Sequence, residues 1–179
     1  RGIRERVLEH TINHGGYLSQ ACSSAEIFSI LYNKSMKLGP SEGLFSTHKF
    51  EGTPSVNNPH PQKGFLYNGA KNPDLDRFFL SPSHYALTLY AALIETKRLN
   101  DKSLNEFNKD GSVLDMIGSE HSPGHETNGG SFGQTISQAA GVAWARRRKK
   151  EKGLVWLFLS DGEFQDCLLY TSPSPRDFQ

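Results

Sequence analysis

From Ile3 to Ile12, apolar residues recur among charged ones at helical spacing, and Ile3, Val7 and Leu8 form a stripe suited to burial. His14, Gly15 and Gly16 close that segment. Ser23 precedes Glu26 by three positions, the spacing of a capping box, and a helical pattern runs on to about Leu38. Within it Ile27, Phe28, Leu31, Tyr32 and Met36 are the predicted core-facing residues. The pattern then breaks. Gly39 to Asp74 is rich in Gly, Pro, Asn and Ser and carries His48 and His60 outside any periodic frame. It reads as a long ordered loop or insertion, a feature that is often functional in a compact domain. Each of its histidines reads more simply as a solvated loop residue than as a metal ligand.

Phe78, Phe79 and Leu80 are a short apolar run suited to a buried strand, ending in Ser81-Pro82-Ser83-His84. Tyr85 to about Leu99 then reads as a helix rich in Ala and Leu. Ser103 and Glu106 repeat the capping-box spacing and predict another short helix. Gly118 to Gly133, GSEHSPGHETNGGSFG, is a dense turn region holding His121 and His125, and it feeds a helix from about Gln134 to Ala145. The basic run Arg146 to Lys150 follows and reads as a solvated helix end, where cations complement the helix dipole.

Leu154 to Glu163, LVWLFLSDGE, is the stretch around which the rest is arranged. A continuous apolar run that stops at a small acidic turn predicts a parallel strand buried on both faces. The fold class is therefore α/β, a parallel sheet with helices on both faces. Open sheets of this kind bind ligands beyond the carboxyl ends of their strands. Asp161 falls at that edge, and two readings stand for it. One is a hard-oxygen ligand for a divalent cation that in turn holds phosphate; the other is a cap for the following turn. His84 is placed at the same edge, able to bond ligand oxygens or move protons, or to bond only backbone. The glycines before Gln134 would expose backbone N–H groups at a helix N-terminus, which favours an anion. The loop has neither a dinucleotide fingerprint nor the Lys of a Walker A motif.

Composition narrows the classes. The 179 residues are 36% hydrophobic and 22% charged, with a formal net charge of +1, as in a soluble globular domain without a nucleic-acid footprint. No apolar stretch reaches membrane-spanning length and no secretory signal pattern opens the chain. Cys22 and Cys167 make neither a disulfide framework nor a zinc spacing, which fits a cytoplasmic location. The chain opens at Arg1 without Met, so an incomplete or processed N-terminus is expected.

Several stretches in order resemble one family. DRFFLSPSHYALTLYAAL (Asp76 to Leu93) is similar to the transketolase segment in which D-R-F and L-S precede a His and an Ala/Leu helix. GGSFGQTISQAAGVAWA (Gly129 to Ala145) resembles that family's Gly-Ser/Pro-Leu-Gly-Gln loop and helix, and VWLFLSDGEFQD (Val155 to Asp166) resembles the start of its thiamine diphosphate motif. The N-terminal segment from Ile3 to Tyr32 also fits the family's first helices. The resemblance implies a diphosphate-binding domain over residues 1–166 and two-carbon ketol transfer between sugar phosphates. It implies thiamine diphosphate as cofactor with Mg2+ or Ca2+. Asp161 would be the metal ligand. His84, Gly130, Ser131, Phe132, Gly133, Asp161 and Gly162 would contact the cofactor, with Gly162 permitting the turn. His84 and His121 would be the catalytic histidines, His121 standing in for the family's second substrate His. A pyrimidine-binding domain or subunit carrying the catalytic Glu would be the missing partner, in a homodimer or heterotetramer. No nucleic acid or membrane is involved in this reading.

Some positions depart from the family pattern. Tyr17 stands where the family has its first substrate His, and Asp166 where it has a Glu that couples sites across the dimer. Ser83, Thr135 and Ser160 each replace a Gly. These changes keep open a related thiamine enzyme, of the pyruvate dehydrogenase first-component or deoxyxylulose-phosphate synthase type, and a non-catalytic fragment or subunit. Residues 167–179, CLLYTSPSPRDFQ, lack helix periodicity and the family's downstream Asn, and are expected to be a foreign or disordered tail.

Overall fold

The computed structural model describes residues 1–171; the remainder of the expected tail, 172–179, lies outside the described residues. The ordered elements are α1 (Gly2–His14), α2 (Leu18–Ile30), β1 (Arg77–Leu80), α3 (Ala86–Glu95), α4 (Gln134–Arg148), β2 (Val155–Phe158) and α5 (Cys167–Thr171). Single tight helical turns at Gly64–Asn68, Ser83–Tyr85, Asp101–Glu106 and Asp161–Gln165 lie between them. The architecture is α/β.

Strands β1 and β2 pair in parallel, with Phe78 opposite Trp156 and Leu80 opposite Phe158. Alternation along the strands sends these four side chains to one face. There Phe28 of α2 meets Phe78 edge-on at 5.9 Å and Phe158 at 5.1 Å between ring centroids. Helix α4 packs against both strands, and α1, α2 and α3 pack on one another. Phe28, Phe78 and Phe79 are fully buried, each worth roughly 1.5–3 kcal/mol of transfer free energy. α3, the most apolar helix, buries every residue from Ala86 to Ile94.

Several sequence expectations change on the fold. β2 is half-buried along its length, not buried on both faces, because it pairs only with β1 among the described residues. In α1 the third buried position is His10, on the same face as Ile3 and Val7, while Leu8 is exposed. α2 begins at Leu18, so Ser23 is an interior residue whose hydroxyl bonds back to the Gln20 carbonyl at 3.1 Å. Of its predicted core residues, Phe28, Tyr32 and Met36 are buried and Ile27 is exposed. The turn at Asp101–Glu106 is capped by Asn100, which accepts the Lys102 N–H at 2.9 Å, and not by Ser103.

Arg146 is buried rather than solvated. Its guanidinium donates to the carbonyls of Pro73 at 3.0 Å and Leu75 at 2.8 Å and pairs with Glu151 at 2.8 Å. It therefore joins the end of α4 to the approach of β1. The long loop is ordered by similar contacts. Arg98 donates to the carbonyls of Gly39 and Tyr67, both at 2.9 Å, and Asn68 donates to that of Gly124 at 3.1 Å. Cys167–Thr171 forms a helical turn where no helix is expected, opened by Asp166, which accepts the Leu168 N–H at 2.8 Å. No helix among the described residues is long and apolar enough to cross a membrane.

Candidate functional site

Two parallel strands that end together present their carboxyl ends at one edge. Ser81 continues β1, donating its backbone N–H to the Phe158 carbonyl at 3.1 Å, and Ser160 follows β2. The Gly118–Gly133 loop is drawn to the same edge. Gly129 packs so closely on Ser83 that a Cβ there would collide with the hydroxyl. Gly133 holds a left-handed conformation (φ 75°) that favours glycine and turns the chain into α4.

The residue that ties this edge together is Glu163, fully buried and absent from the predicted site. Its carboxylate accepts the Gly133 N–H at 3.1 Å, the Ser160 N–H at 2.8 Å and the Ser160 hydroxyl at 3.1 Å, and a further bond from the Ser81 hydroxyl. One side chain thus joins the ends of both strands and the start of α4. The signal for it was present as the Ser160-x-x-Glu163 spacing, which here forms a capping box.

That box decides between the readings of Asp161. Ser160, not Asp161, is the cap. The Asp161 carboxylate is exposed and accepts no hydrogen bond among the described residues. It is available to an external ligand. Gly162 lies in the same turn without a positive φ, so the turn itself does not require glycine. A Cβ at Gly162 would make only an ordinary contact with Phe132, at 3.7 Å.

His84 and Phe132 complete the edge, their ring centroids 6.1 Å apart. Tyr17 also reaches His84, ring to ring at 5.8 Å, so the phenol that departs from the family pattern lies at the site itself. Burial lowers the His84 pKa, opposed in part by the Glu163 carboxylate. The ring is therefore neutral near pH 7, with one nitrogen to donate and one to accept. His84, Phe132, Gly133 and Gly162 lie at this one edge. His121 makes its contacts with Asp115 and Phe50 rather than with these residues.

The donor set suits a diphosphate more than a bare metal. The Ser83 hydroxyl, next to His84, is buried without a hydrogen-bond partner. The backbone N–H of Gly133 is occupied by Glu163, whereas those of Gly130, Ser131 and Phe132 donate to nothing among the described residues. No group of three or more His, Cys, Asp or Glu side chains is placed to hold a metal ion among the described residues. A cation at Asp161 would thus draw its other ligands from phosphate oxygens, carbonyls or water.

Residues 63–154 match the family described as transketolase, thiamine diphosphate binding domain, more than half of the chain. A transketolase family protein of Sinorhizobium fredii, y4mO, is 30% identical over 167 residues, covering 90% of this chain and 50% of that protein. Transketolase-like protein 2 of Homo sapiens is 29% identical over 149 residues, covering 83% of this chain and 20% of its own. Transketolase of Homo sapiens is 26% identical over 152 residues, covering 84% of this chain and 20% of its own. The chain thus spans half or less of the length of these relatives. The matched segment carries β1, His84, the glycine loop and α4 and ends one residue before β2, and on that match the chain belongs to the transketolase family, as its thiamine diphosphate binding domain.

Proposed function

We propose that this chain supplies the diphosphate and metal side of a thiamine diphosphate site that transfers a two-carbon ketol unit between sugar phosphates. The observation that carries the reading is the freedom of Asp161 at the edge where β1, β2 and the glycine loop meet, with Ser160 and Glu163 taking over the capping. Asp161 holds Mg2+ or Ca2+. The backbone of Gly130, Ser131 and Phe132 and the His84 ring face the diphosphate. Gly133 contributes its left-handed turn, and Gly162 leaves room for close approach. Bound thiamine diphosphate supplies the carbanion chemistry. The chain's own residues anchor it, orient it and keep water from one side. His84, neutral near pH 7, donates to a phosphate oxygen or passes a proton at the substrate side, and His121 serves the substrate as a second proton-handling group.

A pyrimidine-binding domain or subunit completes the site, in a homodimer or heterotetramer, and the 179-residue chain alone is inactive. One observation supports a second reading of the substrate. Tyr17 lies against His84, and a phenol does not shuttle protons near neutral pH as imidazole does. This keeps a thiamine enzyme of the pyruvate dehydrogenase or deoxyxylulose-phosphate synthase type as the alternative to ketol transfer between sugars.

Isothermal calorimetry tests the site. Thiamine diphosphate is expected to bind only when Mg2+ or Ca2+ is present; binding without metal, or none with it, would count against the proposal. Product analysis with the completed enzyme, offered pyruvate or a ketose phosphate, separates the two substrate readings.

A further inference from the structure

His121 is not a loosely held loop histidine. Its Nε2 lies 2.7 Å from Asp115 Oδ2, and the same carboxylate oxygen accepts the hydroxyls of Ser119 and Ser122, both at 3.0 Å. Phe50, from the long loop, lies against the imidazole with ring centroids 4.3 Å apart. The ring is fixed from two directions, by Asp115 a short way before it in the chain and by Phe50 from the distant long loop. Its side chain remains 22% exposed, so an edge is still open to a ligand. Asp115 is itself placed by its backbone, whose carbonyl accepts the buried Tyr90 hydroxyl at 2.9 Å.

We infer that Asp115 is the positioning residue for His121, fixing the uncharged form of the ring as its Nε2–H tautomer and turning Nδ1 as an acceptor to a ligand hydroxyl. The hydrogen bond made by one ring nitrogen sets the protonation of the other. With Nε2–H committed to Asp115, Nδ1 carries the lone pair; the Ser119 hydroxyl oxygen lies 3.5 Å from it but gives its proton to Asp115. A hydroxyl proton passing to Nδ1 would leave the O–H bonding pair on the ligand oxygen as an alkoxide and give an imidazolium whose Nε2–H still rests on the Asp115 carboxylate, which stabilises that charge. Burial raises the Asp115 pKa, but the hydrogen bonds from His121, Ser122 and Ser119 outweigh it, so the net direction is down and the carboxylate stays ionised. Phe50 restricts the ring plane. The orienting contact stands on the geometry alone, while its use in catalysis rests on the function proposed above.

The test is the tautomer of His121 in the 15N-labelled 179-residue chain, read from long-range 1H–15N correlations at a pH where the ring is neutral. A single tautomer protonated on Nε2 is expected. Exchange between tautomers, or a proton on Nδ1, overturns the inference without any variant. Asp115→Asn keeps an acceptor of the same shape and should keep the tautomer. Asp115→Ala should release it to a mixture, and an unchanged tautomer in that variant would also overturn the inference. Ser119→Ala with Ser122→Ala should leave the tautomer intact, which separates orientation of the ring from simple stapling of the loop. In the completed enzyme, Asp115→Ala should lower kcat by about 10- to 100-fold, the scale on which an orienting partner acts, with no added loss in a His121→Ala background. Absence of thiamine diphosphate binding would remove the proposed function and leave the tautomer result standing.

Discussion

Glu163 accepts the backbone N–H of Gly133 at 3.1 Å, joining the turn after β2 to the first residue before α4. The same carboxylate holds Ser81 at the end of β1, a residue 82 positions away. A buried carboxylate with four donors is a stable arrangement only while all of them are present.

Glu163→Ala should therefore destabilise the fold by about 3 kcal/mol, because it strands buried N–H and hydroxyl donors as well as losing their bonds. Glu163→Gln keeps the shape but turns an amide donor toward existing donors, and should fall between the wild type and Ala. Urea denaturation gives the ordering. A wild-type midpoint for the Ala variant would mean that Glu163 does not organise this edge.

Asp161→Ala should behave oppositely. With no hydrogen bond to lose among the described residues, its stability should stay within about 0.5 kcal/mol of the wild type, as for other exposed substitutions. Metal-dependent binding of thiamine diphosphate should vanish. Thermal melts and calorimetry on the same sample measure both. A loss of stability without a loss of binding would return Asp161 to a structural role.

The capping-box spacing shows how much of this was legible in the sequence. In its Ser-x-x-Glu form it occurs at Ser23–Glu26, Ser103–Glu106 and Ser160–Glu163, and of these it forms only at the last. Burial of Ala21, Ala25 and Phe28 along one face carries α2 straight through Ser23, and Asn100 captures the second turn first. At Ser160 a strand has just ended and the chain must turn, so the local preference wins. Long periodic runs such as α1, α4 and the apolar Phe78–Leu80 strand were readable because their packing follows from their own pattern. Arg146 and Glu163 were not, since their partners come from distant segments, and the nearby Asp115–His121 pair was not because an aperiodic turn region does not tell which of its side chains meet. The half-burial of β2 was equally hidden, because an apolar run does not tell how many strands lie beside it.

Two glycines of the site should respond differently to a methyl group. Gly162→Ala meets only an ordinary contact with Phe132 and no positive φ, so the fold should tolerate it within about 0.5 kcal/mol. Gly129→Ala collides with the Ser83 hydroxyl and should cost about 1–3 kcal/mol, the range for overpacking. If the cofactor approaches Gly162 closely, Gly162→Ala will weaken its binding with an unchanged melting temperature. Unchanged affinity would place the ligand away from that residue.

His125 predicts an acid-side loss of stability. It is 1% exposed, its Nδ1 lies 3.2 Å from the Pro123 carbonyl, and its Nε2 is buried without a partner. Burial pushes its pKa down to about 4, against the Pro123 and Ser122 backbone and Asp115, which favour the charged ring. A base whose folded pKa lies below its unfolded value of 6.5 binds its proton more readily when unfolded. Its contribution is thus fully present above pH 6.5 and lost as pH falls toward 4, with a total on the order of 3 kcal/mol. Denaturant titrations between those pH values should show stability falling with acid, and His125→Phe, which has no proton to gain, should remove most of that slope. A slope unchanged by the substitution would assign the acid sensitivity to the other histidines whose pKa values burial lowers, His10, His48 and His84.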